Sequence, residues 1–531
     1  VGQAETWADF RAKLTRRIED GDAETEDLAV VAATSGGSVG LSFDPDSVEA
    51  GDPGARSLSD LGNGRRLVDY SGGDIRYTPG MEWHVWNSEY WSPDPEGLLV
   101  QERAKSLYGW LRHEASEASD PDREEKVKAF AHETRKLGAR RAAVNDASSD
   151  PRVLLPAARW DANPHLLGVR NGVVDLRTGV LASGARENFM TRRSPVRYDP
   201  GARNERWDSF LEQATGGDPE LAHYLQLAAG YTLTGLRKYE CLFLVYGPSG
   251  SGKSTFLDVL SALMGSKASH GYSTAFTADV LTESAFGAGA KSTTEYWLAE
   301  LVGARMLLVS ELPESVAMQE DAVKRLTGDS LITARHPAGR PFSFEAQAKL
   351  WIGTNHRPWV KDSAMWRRIR AIPFDHPPAA PDPGLKEILL DPVGGLPAAL
   401  AWAVEGAREL LAAGPGEQPL RVEASSVVEE ATRSYQKSED RIGGFLEEET
   451  VRTGGSITLA DLFNVYKIWC DARNERPGAL TSFARKLQDA GETLEGTGRR
   501  AFVEGRGIMP SAVPEPGEAG SSWLTAIVNS Q

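Results

Sequence analysis

The run Gly247-Pro248-Ser249-Gly250-Ser251-Gly252-Lys253-Ser254, followed by Thr255, fits Gly-x-x-x-x-Gly-Lys-Ser/Thr at every position. Glycines let backbone N–H groups approach phosphate without a Cβ in the way. The start of a following helix adds partial positive charge. In this chemistry Lys253 reaches the β- and γ-phosphates and the Ser254 hydroxyl ligates Mg²⁺. The flanks suit the motif. Residues 241–246 form an apolar strand run before it, and 256–264 have helical spacing after it, ending at Gly265.

Three more polar groups follow short apolar strands. Residues 306–309 end in Ser310 and Glu311, where a carboxylate at a strand end can hold Mg²⁺ through water and activate the attacking water; Glu314 is a second acid nearby. Residues 349–353 end in Thr354 and Asn355, whose amide can position that water; alone, Asn355 is equally an ordinary turn residue. Arg367, Arg368 and Arg370 then precede Phe374, and an arginine can stabilise a phosphoryl in transfer, often from a neighbouring subunit. At least one of the three is expected to serve an ordinary ion pair.

Residues 322–372 hold ten Lys/Arg against three Asp/Glu, +7 within a chain whose net charge is −16. Such a local excess marks a phosphate-rich partner. Within it, 330–335 and 340–344 read as two strands around a turn at His336–Gly339. Arg335, His336 and Arg340 then crowd the tip, able to grip single-stranded backbone. Lys324, upstream, joins this candidate DNA-binding set.

The positioning elements follow. With 531 residues, three or four domains are expected. Helical spacing covers 7–18, 98–118, 122–137, 207–236 and 385–413, and 461–491 reads as two helices split at Pro477-Gly478. Residues 75–77 and 83–86 look like strands, and 166–174 like short strands turning at Asn171-Gly172. Trp83, Trp86 and Trp91 could stack bases, but their spacing favours a strand's core face. Arg485, Lys486, Arg499, Arg500 and Arg506 suit either DNA backbone or a solvated face. The two cysteines exclude a disulfide scaffold, and no Cys/His cluster has zinc spacing. No apolar stretch is long enough to span a bilayer, and the N-terminus is polar, so a cytoplasmic setting is expected.

In this order the pieces resemble superfamily 3 helicases, AAA+-type motors, and within them the poxvirus D5-like, phage/plasmid primase–helicase branch. The resemblance rests on the loop 247–255, on Val309-Ser310-Glu311 as Walker B, on 323–335 as the B′ motif and on 351–355 as motif C, with Arg367-Arg368 at the arginine-finger position. Residues 160–179 look like the D5 N-terminal region, 225–235 like its helical collar, and 466–471 with 483–487 like the branch's winged-helix-like domain. Two features depart from the pattern. Walker B often carries paired acids, and here Ser310 precedes a single Glu311. Phe43-Asp44-Pro45-Asp46 is similar to a primase metal motif but reads as a Pro-containing turn, so primase activity is not expected here.

The resemblance implies a multidomain α/β fold. A P-loop NTPase core of the AAA+-like, superfamily 3 kind is flanked by a mixed, helical N-terminal region and a small winged-helix-like C-terminal domain. The expected boundaries are 1–150 for the N-terminal region, 151–237 for linker and collar, 238–380 for the motor, 381–440 for a helical lid, 441–510 for the winged-helix-like domain and 511–531 for a tail. It further implies an ATP- and Mg²⁺-dependent DNA helicase that forms a ring, expected to be a hexamer, and moves 3′ to 5′. The partners would be single-stranded and forked DNA and a primase or polymerase, in phage, plasmid or mobile-element replication inside a bacterial cell. The rivals are an ATP-switched replication initiator and a non-helicase NTPase motor.

Overall fold

The computed structural model describes residues 57–281, 298–310, 312, 318–328, 331–335, 341–360, 362–414, 417–473, 477–496, 498 and 501–509. Glu311, Glu314, His336, Arg340, Arg499 and Arg500, the turn at 43–46, the helical pattern at 7–18 and the tail lie outside the described residues.

The N-terminal part begins with α1 (Asp60–Tyr70), whose N-cap Ser59 accepts from Gly62 N. Strands β1 (Ile75–Thr78), β2 (Glu82–Trp86) and β3 (Trp91–Asp94) form an antiparallel sheet. Helices α2 (Leu98–Ala104), α3 (Leu107–Ser116), α4 (Pro121–Glu133) and α5 (Leu137–Ala147) follow. Trp83 and Trp91 are core residues, and Trp91 is fully buried, so neither offers a face to a base. A second antiparallel sheet holds β4 (Leu166–Val169), β5 (Gly172–Asp175) and β6 (Val180–Ala182). Val169 pairs with Gly172, so the turn is Arg170-Asn171, one residue earlier than expected.

The helical run at 207–236 is two helices, α6 (Glu205–Ala214) and α7 (Pro219–Leu233). Gly216 and Gly217, both at positive φ, break it. The motor sheet holds β7 (Leu242–Tyr246), β8 (Ser273–Phe276), β9 (Met306–Ser310), β12 (Lys349–Thr354) and β13 (Ile369–Pro373), in the order β13-β7-β12-β9-β8. Every pairing is parallel. Alternate residues feed two cores, one per face. Phe243, Val245, Met306, Leu308 and Trp351 face α7, α8 (Lys253–Met264) and α11 (Gly395–Ala412). Leu242, Leu244, Leu307, Val309 and Ile352 face α9 (Glu320–Gly328) and the antiparallel pair β10 (Leu331–Ala334) and β11 (Phe342–Glu345).

The run at 385–413 is likewise two helices, α10 (Leu385–Leu389) and α11. The outer edge of β13 is covered by α12 (Ser426–Glu439), where Ala371 N donates to Thr432 Oγ1 at 3.1 Å. A small C-terminal unit with its own core follows: α13 (Arg441–Glu449), β14 (Thr450–Thr458), α14 (Leu459–Asp471), α15 (Leu480–Asp489), β15 (Leu494–Glu495) and β16 (Phe502–Ile508). Its sheet order is β14-β16-β15. No helix among the described residues is long and apolar enough to cross a membrane.

His84, on β2, is buried and stacked on Trp160 at 4.3 Å. Burial pushes its imidazole down to about 4, against an ordinary value near 6.5. Between those pH values the unfolded chain takes up a proton that the fold refuses, so this group's contribution to stability is lost as pH falls. The loss is on the order of 3 kcal/mol. His84→Phe is expected to flatten the acid side of the stability–pH curve for this region, read from tryptophan fluorescence in urea at pH 7, 6 and 5.

Candidate nucleotide site and the hairpin beside it

The loop at 247–252 leaves the buried strand β7 and enters α8. Gly247 has φ +148°, and a Cβ there would lie 2.2 Å from Phe374 O, so the exit of β13 demands glycine. Gly252 is the helix N-cap in the left-handed region, with no side-chain cap on the first turn. The first N–H groups of α8 therefore point at the loop mouth, a setting that favours an anion. Pro248, Ser249, Gly250 and Ser254 are exposed, Thr255 is half-buried, and Ser251 is buried. Lys253 is buried, its Nζ donating to Gly247 O (2.8 Å) and Pro248 O (2.7 Å). Burial lowers its pKa and nearby Asp375 opposes that.

Asn355 follows β12, whose Thr354 pairs with Tyr246. Its backbone is thus level with Gly247. The turn after it is fixed by Thr354, whose Oγ1 donates to His356 O at 2.6 Å and accepts from His356 N at 3.1 Å. On the other flank of β12, Gly353 pairs with Ser310, the last residue of β9. Lys253, Asn355 and Ser310 therefore share one edge of the sheet, where a phosphate chain, its metal and a water could be handled together. Ser254, expected as the metal-ligating hydroxyl, is exposed in the first turn of α8. Among the described residues no cluster of three His, Cys, Asp or Glu could hold a metal alone.

Arg367 and Arg368 lie at the opposite edge. They precede Ile369, which pairs with Leu242 at the far end of β7. Five residues at about 3.3 Å each put Arg368 roughly 17 Å from Pro373, beside the loop. Arg367 is exposed. Arg368 is not: its guanidinium is buried, 2.9 Å from Glu240 Oε2 and 3.1 Å from Thr327 Oγ1, the kind of ordinary ion pair expected of at least one of the three. Arg370 is also buried, its Nε donating to Leu420 O at 2.9 Å.

Other cations of this segment are also engaged inside the chain. Lys349 is buried among backbone carbonyls, its Nζ donating to Gln347 O at 2.9 Å, and desolvation holds its pKa well below the usual value. Lys324, on α9, pairs with Asp362 at 2.5 Å. Its neighbour thus already balances its charge, which weakens its case as a DNA contact. Arg357 lies over the rings of Tyr246 (4.4 Å) and Tyr435 (5.5 Å). At least five of the ten cations are thus engaged inside the chain. β10 and β11 pair from Leu331↔Glu345 to Ala334↔Phe342, which leaves Arg335 and Arg340 in the connecting segment. In the C-terminal unit Arg485 and Lys486 are exposed, whereas Arg506 is held by the buried Glu492 at 2.8 Å.

Asp375 escapes sequence reading, and Arg357 enters it only as one of the ten cations of 322–372. The Asp375 carboxylate lies 3.2 Å from where a Gly247 Cβ would stand. Arg357 joins the residue before the loop to α12, which Tyr435 fastens again by donating to Pro358 O. The one available signal was proximity, since Arg357 stands two residues past Asn355.

The fold and this edge define a multidomain α/β protein with a parallel, P-loop-like core. Residues 64–216 match the family described as D5 N terminal like, and 245–368 a family of unknown function (DUF5906). Primase D5 of fowlpox virus is 24% identical over 238 residues, 42% of this chain and 29% of that protein. A protein of Acanthamoeba polyphaga mimivirus, named provisionally as a helicase, is 26% identical over 235 residues, 43% of this chain and 23% of that one. A protein of African swine fever virus, named provisionally as a primase, is 25% identical over 341 residues, 59% of this chain and 34% of that one. The D5 N-terminal-like region and these relatives make the chain similar to D5-like primase–helicases. It spans about a quarter to a third of the length of these relatives. The solved C-terminal region of NrS-1 overlaps 84% of this chain and 99% of its own, at 11% identity and TM-score 0.44.

Gly247→Ala is expected to weaken binding of a fluorescent adenine nucleotide at least about tenfold, or about 1.4 kcal/mol. Gly138→Ala, at a position with nothing within 4 Å of the added Cβ, is expected to leave binding unchanged.

Proposed function

We propose that this chain is an ATP-driven DNA motor of the superfamily 3 helicase type, working as a ring. The observation that carries this reading is the strand order. Inserting β12 between β7 and β9 sets Asn355 between the phosphate loop and the end of β9. ATP with Mg²⁺ sits on the loop, with Lys253 on its phosphates and Ser254 on the metal. Glu311 activates water and Asn355 positions it. Arg367, exposed at the far edge, serves the site of the next protomer, and repetition of that contact closes a ring. The β10–β11 hairpin carries Arg335, His336 and Arg340 toward single-stranded DNA. The C-terminal unit, with two helices ahead of a β-hairpin, suits a winged-helix domain. D5-like relatives named as primase and helicase agree with a role in replication.

The test is hydrolysis of ATP with and without oligo(dT), together with opening of forked DNA. DNA is expected to raise turnover. Arg335→Ala with Arg340→Ala is expected to abolish that rise and to make the salt dependence of oligo(dT) binding shallower by about 0.7 in log–log slope per lost phosphate contact. Turnover indifferent to DNA in the unaltered protein would end this reading. Origin retention with ATP but no fork opening would favour the initiator instead.

A further inference from the structure

We infer that Arg368 is a positioning residue that ties the root of the β10–β11 hairpin to the strand end bearing Arg367, so that a change at the protomer boundary reaches the hairpin. This rests on the functional reading above.

Unpaired carbonyls concentrate negative charge at the C-terminal end of α9. Two guanidinium groups meet that end. Arg237 donates to Leu326 O at 2.9 Å. Arg368 donates from NH1 to Thr327 Oγ1 at 3.1 Å. The Thr327 hydroxyl itself donates to Val323 O at 2.7 Å, so its lone pairs are aimed at Arg368. Both terminal nitrogens of Arg368 lie 3.3 Å from where a Cβ on Gly328 would stand, so the last residue of α9 packs flat beneath the guanidinium. Glu240 balances the charge from the segment entering β7. The Arg368 carbonyl accepts from Leu242 N at 2.9 Å, pinning its backbone to the base of the loop strand.

One side chain therefore joins three movable parts: the entry to the phosphate-loop strand, the strand start that carries Arg367, and the helix end from which β10 departs. Leu331 begins β10 three residues beyond Gly328. If Arg367 shifts on meeting a neighbour's nucleotide, Arg368 must shift with it, and the buried contact to Thr327 transmits that displacement, because breaking it leaves a buried guanidinium and hydroxyl short of a partner while Glu240, itself exposed, stays solvated. One terminal nitrogen of Arg368 meets both acceptors, and the flat guanidinium behind it rests on Gly328.

The experiment uses the full chain and three variants, Arg368→Met, Thr327→Val and Arg367→Ala. It reads two things: hydrogen exchange of β10 and β11 against α8, without nucleotide or DNA, and ATP turnover with and without oligo(dT). Arg368→Met and Thr327→Val are expected to speed exchange in β10 and β11 roughly tenfold with α8 unchanged. They should keep DNA-free turnover within about threefold while losing stimulation by oligo(dT). Arg367→Ala is expected to lower DNA-free turnover by about a thousandfold and leave hairpin exchange alone. If Arg368→Met matches Arg367→Ala in turnover with hairpin protection intact, Arg368 is the finger and the inference falls. It also falls if exchange and stimulation are both unmoved. If Arg368→Met does not fold, Thr327→Val, which removes the acceptor without altering charge, decides by the same readouts. An unaltered protein that never responds to DNA defeats the functional reading, and hairpin exchange alone then decides the latch.

Discussion

Parallel, in-register pairing of five strands is the constraint from which the rest of this structure follows. A parallel sheet sends all strand ends of one sense to one edge. Here that edge collects the loop after Tyr246, Ser310 at the end of β9 and Asn355 after β12. The same pairing sends Arg367 and Arg368 to the other edge, on the residues that enter β13. A group that completes phosphate chemistry cannot stand on both edges of one sheet. In the ring proposed above, the phosphate loop of one copy and the exposed Arg367 of another would therefore meet between molecules.

The two faces of the sheet divide the remaining work. One face packs on α7, α8 and α11, so the sheet beneath the loop helix is braced by α7 through Trp351, which stacks on Phe243 at 4.4 Å and donates to Thr232 at 3.0 Å. The other face packs on α9 and the β10–β11 pair. Strand residues alternate between these cores, so a shift of β12 or β13 is felt on both sides. Arg357, between Tyr246 and Tyr435, and Arg368, between Glu240 and Thr327, are polar links on the hairpin side.

The phosphate loop is legible in the sequence because its chemistry is local: eight contiguous residues, an apolar strand before and an amphipathic helix after. The β10–β11 strands are legible for the same reason, and so is the core placement of Trp83 and Trp91. Charge is less legible. Counting cations over 322–372 treats them as surface, whereas Lys349, Arg368 and Arg370 are interior and Lys324 is paired. Nothing in a linear count separates a guanidinium that solvates a helix end from one that meets DNA. Arg368 is hidden most completely, because its partner Thr327 is 41 residues away and identifiable only once α9 and β13 are packed. Helix breaks such as Gly216-Gly217 were blurred because the apolar spacing continues across them.

Mixing two inactive proteins tests the intermolecular site most directly. Lys253→Ala keeps its guanidinium at the far edge but loses the phosphate contact, and Arg367→Ala keeps the loop but loses the guanidinium. Neither should hydrolyse ATP alone. Combined in equal amounts and allowed to exchange subunits, they should recover a measurable fraction of the unaltered turnover, since some boundaries then pair an intact loop with an intact arginine. Turnover by Arg367→Ala alone at the unaltered rate, or a fully exchanged mixture as silent as its components, would contradict a site shared between protomers.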